Sequence, residues 1–337
     1  MKIIDLRSDT VTKPSLEMKK VMFEAEVGDD VYGEDPTVNK LEKLAAEMLV
    51  TENAIFAPSG TQTNLMALLS HCERGEEYIV GQGAHTYIHE GGGAAVLGSI
   101  VPQPIEFEED GTIDLKKAED KIKPDDYHFA KSKLFCLENT NNGKVLPLEY
   151  FKASRELVDK YNLKLHLDGA RVFNAAVKLN VDIKEITKYF DSISICLSKG
   201  LGAPVGSLLC GSKELIQKAR RWRKMLGGGM RQAGLLAEAG IYALQNNVQR
   251  LAIDHENAKI LSDGLNNIPE LQSKISEVQT NMMFVDVDEN EFIELQNFMK
   301  EKGILIGGYG SIRLVTHLDI TEDDIEKVIE AFKEYYQ

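Results

Sequence analysis

A lysine at the mouth of a buried strand is the first residue whose setting points to chemistry. In Asp191-Ser-Ile-Ser-Ile-Cys-Leu-Ser198-Lys199-Gly200-Leu-Gly202-Ala-Pro204-Val-Gly206 an apolar run stops at Lys199 and a glycine-rich loop follows. Burial and nearby cations lower a lysine's pKa, which makes Lys199 a candidate amine nucleophile or Schiff-base former rather than a strand-end surface charge. Glycines beside it let a flat ligand approach the backbone. The spacing Gly200-x-Gly202-x-x-x-Gly206 is wrong by one for a dinucleotide loop, and Pro204 interrupts the helix start that loop requires. Gly211-Ser-Lys213 lacks the preceding glycine of a phosphate-binding P-loop.

Upstream, Lys164-Leu-His166-Leu-Asp168-Gly169-Ala170-Arg171 reads as a second strand ending in an acid, a glycine and an arginine. An aspartate there is often only a helix cap. Paired with Lys199 on a neighbouring strand, Asp168 would keep a pyridine nitrogen protonated while the lysine holds the other side of the ring. Phe56-Ala-Pro-Ser59-Gly60-Thr61-Gln62-Thr63-Asn64 leads into an apolar helix. Ser59, Gly60 and Thr61 would cap that helix or offer amides and hydroxyls to a phosphate at its positive end. In His85-Thr-Tyr-Ile-His89-Glu90-Gly91-Gly92-Gly93 two histidines stand at i and i+4, but the order is not His-Glu-x-x-His and no third ligand is close in sequence. No metal is expected; His85 is read as an imidazole stacked on a cofactor ring and His89 as a core residue. Asp286-x-Asp288-x-Asn290 lacks the sixth-position glycine and closing glutamate of a calcium loop.

These residues need a scaffold. From about 54 to 211 short apolar runs alternate with amphipathic stretches, the rhythm of strands and crossover helices in an α/β sheet. The runs Leu134–Leu137, Leu163–Leu167, Ser192–Leu197 and Val205–Cys210 are too short for helices, and several are apolar on consecutive positions, as in strands covered on both faces. Ligands of such sheets lie beyond the carboxyl ends of strands, where Asp168 and Lys199 stand. After Gly227-Gly228-Gly229 a helical pattern runs from about Arg231 to Asn266 with a break, and a second rhythm then begins. It reads as strand Asn281–Asp286, helix Asn290–Lys302 closed by Gly303, strand Ser311–Val315 and helix Glu322–Tyr335, the last opened by Thr321 and Asp324 in the manner of a capping box. The expected division is a large domain over 1–245 and a small α+β domain over 246–337.

Composition narrows the function. A chain of 337 residues with 43% hydrophobic and 27% charged residues buries a real core. Its net charge of −14 repels a phosphate backbone, so nucleic acid is not an expected partner. No apolar run approaches the length of a membrane span, the first residues lack a signal-peptide core, and Cys72, Cys136, Cys196 and Cys210 show no CxxC pairing. The expectation is a soluble, cytoplasmic protein.

Taken together, Lys199, Asp168, the Ser59-Gly60-Thr61 turn and His85 resemble the fold-type I enzymes dependent on pyridoxal 5'-phosphate, and within them the threonine aldolases. The resemblance covers essentially the whole length: Asp5-Leu-Arg-Ser-Asp-Thr-Val-Thr12, Asp30-Val-Tyr-Gly-Glu-Asp-Pro36, His85, Leu137-Glu-Asn-Thr140, His166 to Arg171, Ser198 to Gly206, and Gly227-Gly-Gly-Met-Arg-Gln232. The opening octapeptide and the triple glycine are more specific than any single lysine. One departure is Asn141-Asn142, where many relatives carry a histidine before the second asparagine.

The resemblance implies a large domain with a mostly parallel central sheet flanked by helices, a smaller C-terminal α+β domain, and roles by position. Lys199 would carry the cofactor covalently, Asp168 would pair with its ring nitrogen, and His85 would stack on the ring. Ser59, Gly60 and Thr61 would hold the phosphate, with Arg171 nearby and Lys224 and Arg231 supplied by a neighbouring subunit. Ser8, Tyr32, Arg171 and Arg313 would bind the substrate, with the arginines on its carboxylate. His85 and His128 would serve the β-hydroxyl. The implied reaction is retro-aldol cleavage of L-threonine or L-allo-threonine to glycine and an aldehyde, in a homotetramer built from dimers. Another β-eliminating lyase, a serine hydroxymethyltransferase-like enzyme and a non-catalytic cofactor-binding sensor remain the alternatives.

Overall fold

Seven short apolar runs pair side by side in the order Asn53–Ala57, Ser207–Gly211, Ser192–Cys196, Lys164–Gly169, Ser132–Glu138, Glu77–Gly81 and Val101–Ile105. The computed structural model describes residues 2–308 and 310–337. Ser207–Gly211 is antiparallel to both neighbours and the remaining pairings are parallel. The antiparallel strand follows from its connection: the loop 197–206 holds no helix, and without a crossover helix the chain must return beside the strand it has just left.

Alternate residues of each strand serve opposite layers. Phe135 and Leu137 pack with Val38, Leu41 and Phe151, whereas Leu134 and Cys136 pack with Leu65, Leu68 and Ile100. Helices Pro36–Leu49, Leu148–Lys160, Val172–Leu179 and Gly234–Asn246 cover the first face, and Gly60–His71 and Lys213–Met225 the second. This double cover explains why the strands read as continuous apolar runs. All four cysteines are free and buried, as small core residues.

The break expected in the helical pattern after Arg231 falls between Gly234–Asn246 and Leu251–Asn266. A three-stranded antiparallel sheet then forms from Met282–Val285, Gly307–Gly308 and Ile312–Val315, packed with helices Glu289–Glu301 and Glu322–Tyr336. Both arms of the Thr321–Asp324 capping box are present. Asp288 caps its helix, accepting from the backbone N–H groups of Asn290 and Glu291, which accounts for that acidic spacing. Ile4 and Leu6 also pack into this second core, and Ile4–Asp5 pairs parallel with Ile304–Leu305. The N-terminal segment therefore crosses from the C-terminal unit to the large sheet, carrying Ser8 and Asp9 with it. Among the described residues no helix is long and apolar enough to cross a membrane.

Candidate active site

Parallel strands deliver their carboxyl ends to one edge, and the chemistry collects there. Asp168 closes Lys164–Gly169, Glu138 closes Ser132–Glu138, and Lys199 follows Ser192–Cys196. His85 follows Glu77–Gly81, and Ser59 and Gly60 follow Asn53–Ala57. Glu138, Asp168 and Ser194 are in register on adjacent strands and so face the same side, under helix Gly60–His71. The charge of Lys199 reaches Asp9, His85 and Glu138. Among the described residues the half-buried Lys199 makes no hydrogen bond or salt bridge.

Asp168 is 3% exposed. Its Oδ1 accepts from the Ala170 N–H at 3.1 Å and its Oδ2 from Asn64 Nδ2 at 2.7 Å. The same Asn64 amide donates to Glu90 Oε1 at 2.8 Å, and Glu90 Oε1 lies 2.9 Å from His85 Nδ1. His85, Glu90 and Asp168 thus form a compact polar group whose contacting atoms lie within 4.8 Å of one another. The contact with Glu90 raises the His85 pKa above its ordinary value, against the opposing effect of burial, and it leaves Nε2 free to accept a proton. Burial, followed by the Asp168 charge, pushes the Glu138 carboxyl up to about 7. Glu138 Oε2 accepts from the His85 backbone N–H at 2.8 Å.

Ser59 caps helix Gly60–His71, its Oγ accepting from the Gln62 N–H, while the Gly60 and Thr61 N–H groups belong to the first turn, where no intrahelical acceptor exists. A Cβ at Gly60 would lie 2.6 Å from Cys196 Sγ, so only glycine lets this turn sit against the strand that leads to Lys199. The following loop turns back through Gly202 at φ +80° and Gly206 at φ +114°, a region that disfavours side chains.

Asp9 is fully buried against Arg171, with Nε and Nη2 of the guanidinium 2.8 and 2.5 Å from its two oxygens. Burial alone would raise the Asp9 carboxyl, but Arg171 outweighs it and holds the pKa down at about 2. That edge of Arg171 is engaged, which leaves its other edge, Nη1 and the second N–H of Nη2, for a substrate carboxylate. Ser8 adjoins this pair and caps the turn Asp9–Val11 through the Thr10 N–H. Arg313 Nη2 donates to the Arg7 carbonyl at 3.0 Å, and its charge is felt at His89, whose ring centroid is 5.6 Å from that of His85. His89 itself is exposed, contrary to the core placement expected from sequence, because the helix that carries it is a single turn, His85–Ile88, at the surface.

Three expected site residues lie on the outer surface. Tyr32 is 76% exposed, Lys224 is exposed, and Arg231 pairs with Asp29 at 3.0 Å. Val31, Met225 and Leu235 are exposed on the same segments. His128 sits in the loop before Ser132–Glu138, at the opposite edge of the sheet from Lys199, and its Nδ1 contacts Asp126 Oδ1 at 2.7 Å. The strand between those edges spans roughly 20 Å, so His128 does not join the cluster within one chain. Asn64, Glu90, Glu138 and Asp9 were not singled out from sequence. Asn64 carried a signal, as a polar residue among Leu65, Met66, Ala67, Leu68 and Leu69, and so did Glu138, as a charge closing an apolar strand.

The sequence profile of the family described as beta-eliminating lyase matches residues 5–289. The chain is 58% identical over 326 residues to the low specificity L-threonine aldolase of Escherichia coli strain K12, covering 97% of each chain. The chain belongs to the threonine aldolase family. It is also 42% identical to low-specificity L-threonine aldolase 1 of Arabidopsis thaliana, over 99% of this chain and 96% of that one. The threonine aldolase of Leishmania major superposes with a TM-score of 0.85 at 23% identity, over 99% of this chain and 100% of that one. The family is one of lyases, and the fold is fold type I of the enzymes that use pyridoxal phosphate.

The residues fit that cofactor. A buried carboxylate, two helix-start amides and a lysine, the last three without a hydrogen bond among the described residues, converge on one edge. Asn139, whose backbone N–H donates to the Asp168 carbonyl, adds a buried side-chain donor, Nδ2, with no partner among the described residues.

The His85–Glu90 contact makes a pH prediction. A histidine whose folded pKa is raised contributes stability that is full below its unfolded value near 6.5 and is lost as pH rises through the folded value. NMR titration should place the His85 midpoint above 6.5, and Glu90→Gln should bring it down. A midpoint unmoved by that substitution would remove Glu90 as the cause.

Proposed function

We propose that this chain cleaves L-threonine and L-allo-threonine to glycine and acetaldehyde, with pyridoxal 5'-phosphate held by Lys199. The observation that carries the reading is the convergence of an unbonded Lys199 and a buried, hydrogen-bonded Asp168 at the carboxyl edge of a sheet shared with threonine aldolases. Lys199 would attach the cofactor, Asp168 would pair with its ring nitrogen, and His85 would stack on the ring. Gly60 and Thr61 would hold the phosphate with Ser59, while Lys224 and Arg231, both exposed, would reach it from a second copy. When bound, pyridoxal phosphate supplies an electron sink for the pair released as the Cα–Cβ bond breaks.

The chain's own groups choose that bond. Arg313, Ser8 and the outer edge of Arg171 would fix the substrate carboxylate and so orient the Cα substituents toward the cofactor. His85, donating Nδ1–H to Glu90, takes the β-hydroxyl proton at Nε2. His128 would serve the substrate side chain only from another copy, because its loop leaves the far edge of the sheet; Tyr32 would act from the exposed segment whose Asp29 pairs with Arg231. We read the assembly as a homotetramer built from dimers, with residues 1–245 and 246–337 as the working division and the cytoplasm as its compartment.

Arg313→Ala tests the carboxylate assignment. Losing one charge-assisted contact should lower kcat/KM for threonine by about 1.5–3 kcal/mol, roughly tenfold to 150-fold. An unchanged kcat/KM would take Arg313 out of the site. Measuring glycine and acetaldehyde against keto acid and ammonia separates aldol cleavage from β-elimination.

A further inference from the structure

Behind Asp168 a line of polar side chains runs through the layer between the sheet and helix Gly60–His71. His166 and Asp168 alternate onto the same face of their strand, and Cys136, His166 and Ser192 are in register across three strands. Helix Gly60–His71 lies over that face and presents Asn64 and, two turns on, His71. Asn64 Oδ1 is 3.3 Å from His166 Nε2, His166 Nδ1 is 2.8 Å from Ser192 Oγ, and Ser192 Oγ is 2.7 Å from His71 Nε2. Asn64, His166 and Ser192 are buried, and His71 is half-buried at the rim of a cleft of about 660 Å³ at the opposite edge of the sheet.

The chemistry of the two ends gives every link one direction. Carboxylates only accept, so the Asn64 amide nitrogen must face Glu90 and Asp168, which turns its oxygen to His166. His166 must then carry its proton on Nε2. Its Nδ1 is left as an acceptor, so the Ser192 hydroxyl donates to it and in turn accepts from His71 Nε2–H. Burial supports neutral rings at both histidines, lowering His166 to about 4 and His71 to about 3. Each of these links then pairs a donor with an acceptor, as a polar network inside a core requires.

We propose that Asn64, His166, Ser192 and His71 form a one-directional hydrogen-bond chain that positions Asp168 and, through the two N–H bonds of Asn64, holds its carboxylate beside that of Glu90. Asn64 and His166 are positioning residues for the ring-nitrogen site; neither touches the reacting atoms. Without the Asn64 amide the two like charges repel, and a proton shared between them relieves the repulsion at the expense of the anion that the ring nitrogen needs. This role rests on the reading of Asp168 given above, whereas the chain itself belongs to the protein alone.

The test has two arms. With ¹⁵N-labelled histidine, NMR of the cofactor-free and the loaded protein should show His166 and His71 as neutral Nε2–H tautomers, unchanged between pH 6 and 8. An Nδ1–H or doubly protonated His166 overturns the proposal even if no variant folds. In the second arm, Asn64→Asp keeps the side-chain shape but removes the donor. Its affinity for pyridoxal phosphate, titrated by absorbance, should fall roughly tenfold to 100-fold, the range typical of a partner one bond behind a ligand. Its kcat should fall with it, while KM for threonine moves less than about threefold. Wild-type affinity in a folded Asn64→Asp protein overturns the positioning role. A wild-type protein that takes up no pyridoxal phosphate refutes the functional reading instead, and the tautomer of His166 then decides the chain by itself.

Discussion

Lys199→Ala should leave a folded protein whose threonine cleavage is reduced on the order of 10³-fold or more, the upper part of the range for a positioned nucleophile and proton carrier. Stability should change little. Lys199 is half-buried and makes no hydrogen bond or salt bridge among the described residues, so truncation orphans no buried partner. Its neighbours on the strand, Ile193, Ile195 and Leu197, keep their packing in the core. Circular dichroism and thermal melting should match the parent while glycine and acetaldehyde formation disappears. Near-normal turnover in a folded variant would show that another amine, or none, does the work.

The second large effect is on stability. Asp9→Ala strips the partner from Arg171, a guanidinium whose side chain is 16% exposed, and breaking a buried pair on one side destabilises by about 3–5 kcal/mol. The pair also joins the N-terminal segment to the large sheet, because Ile4 and Leu6 are anchored in the other core. The sign with pH follows from the carboxyl at about 2, below its unfolded value of 3.8. Stability from Asp9 is full above about pH 3.8 and is lost as pH falls through 2. Denaturant midpoints should therefore show the parent losing this contribution in acid and Asp9→Ala lacking it throughout. Equal midpoints for the two proteins at neutral pH would mean that water or another group satisfies Arg171.

The large sheet is legible in the sequence because its strands are apolar on consecutive positions, and parallel strands of that kind bring Asp168 and Lys199 to one edge. Helix Glu322–Tyr336 was legible from period and cap together. Less legible were partners distant in sequence. Asp9 and Arg171 meet across 162 positions, Asn64 and Asp168 across 104, and no local pattern announces either contact. Glu90, five residues from His85, differs: it was in view, but the triple glycine beside it drew the reading toward backbone approach rather than toward the imidazole. The pairing of Ile4–Asp5 with Ile304–Leu305 was hidden for a further reason, since a two-residue strand carries no periodicity.

The association of Lys199 with pyridoxal phosphate is tested most directly by reduction. Purified protein supplied with pyridoxal phosphate should turn yellow, and borohydride should bleach it while fixing the cofactor to a peptide that contains Lys199. A protein that stays colourless, or an adduct mapped to a different lysine, would contradict the account at its base.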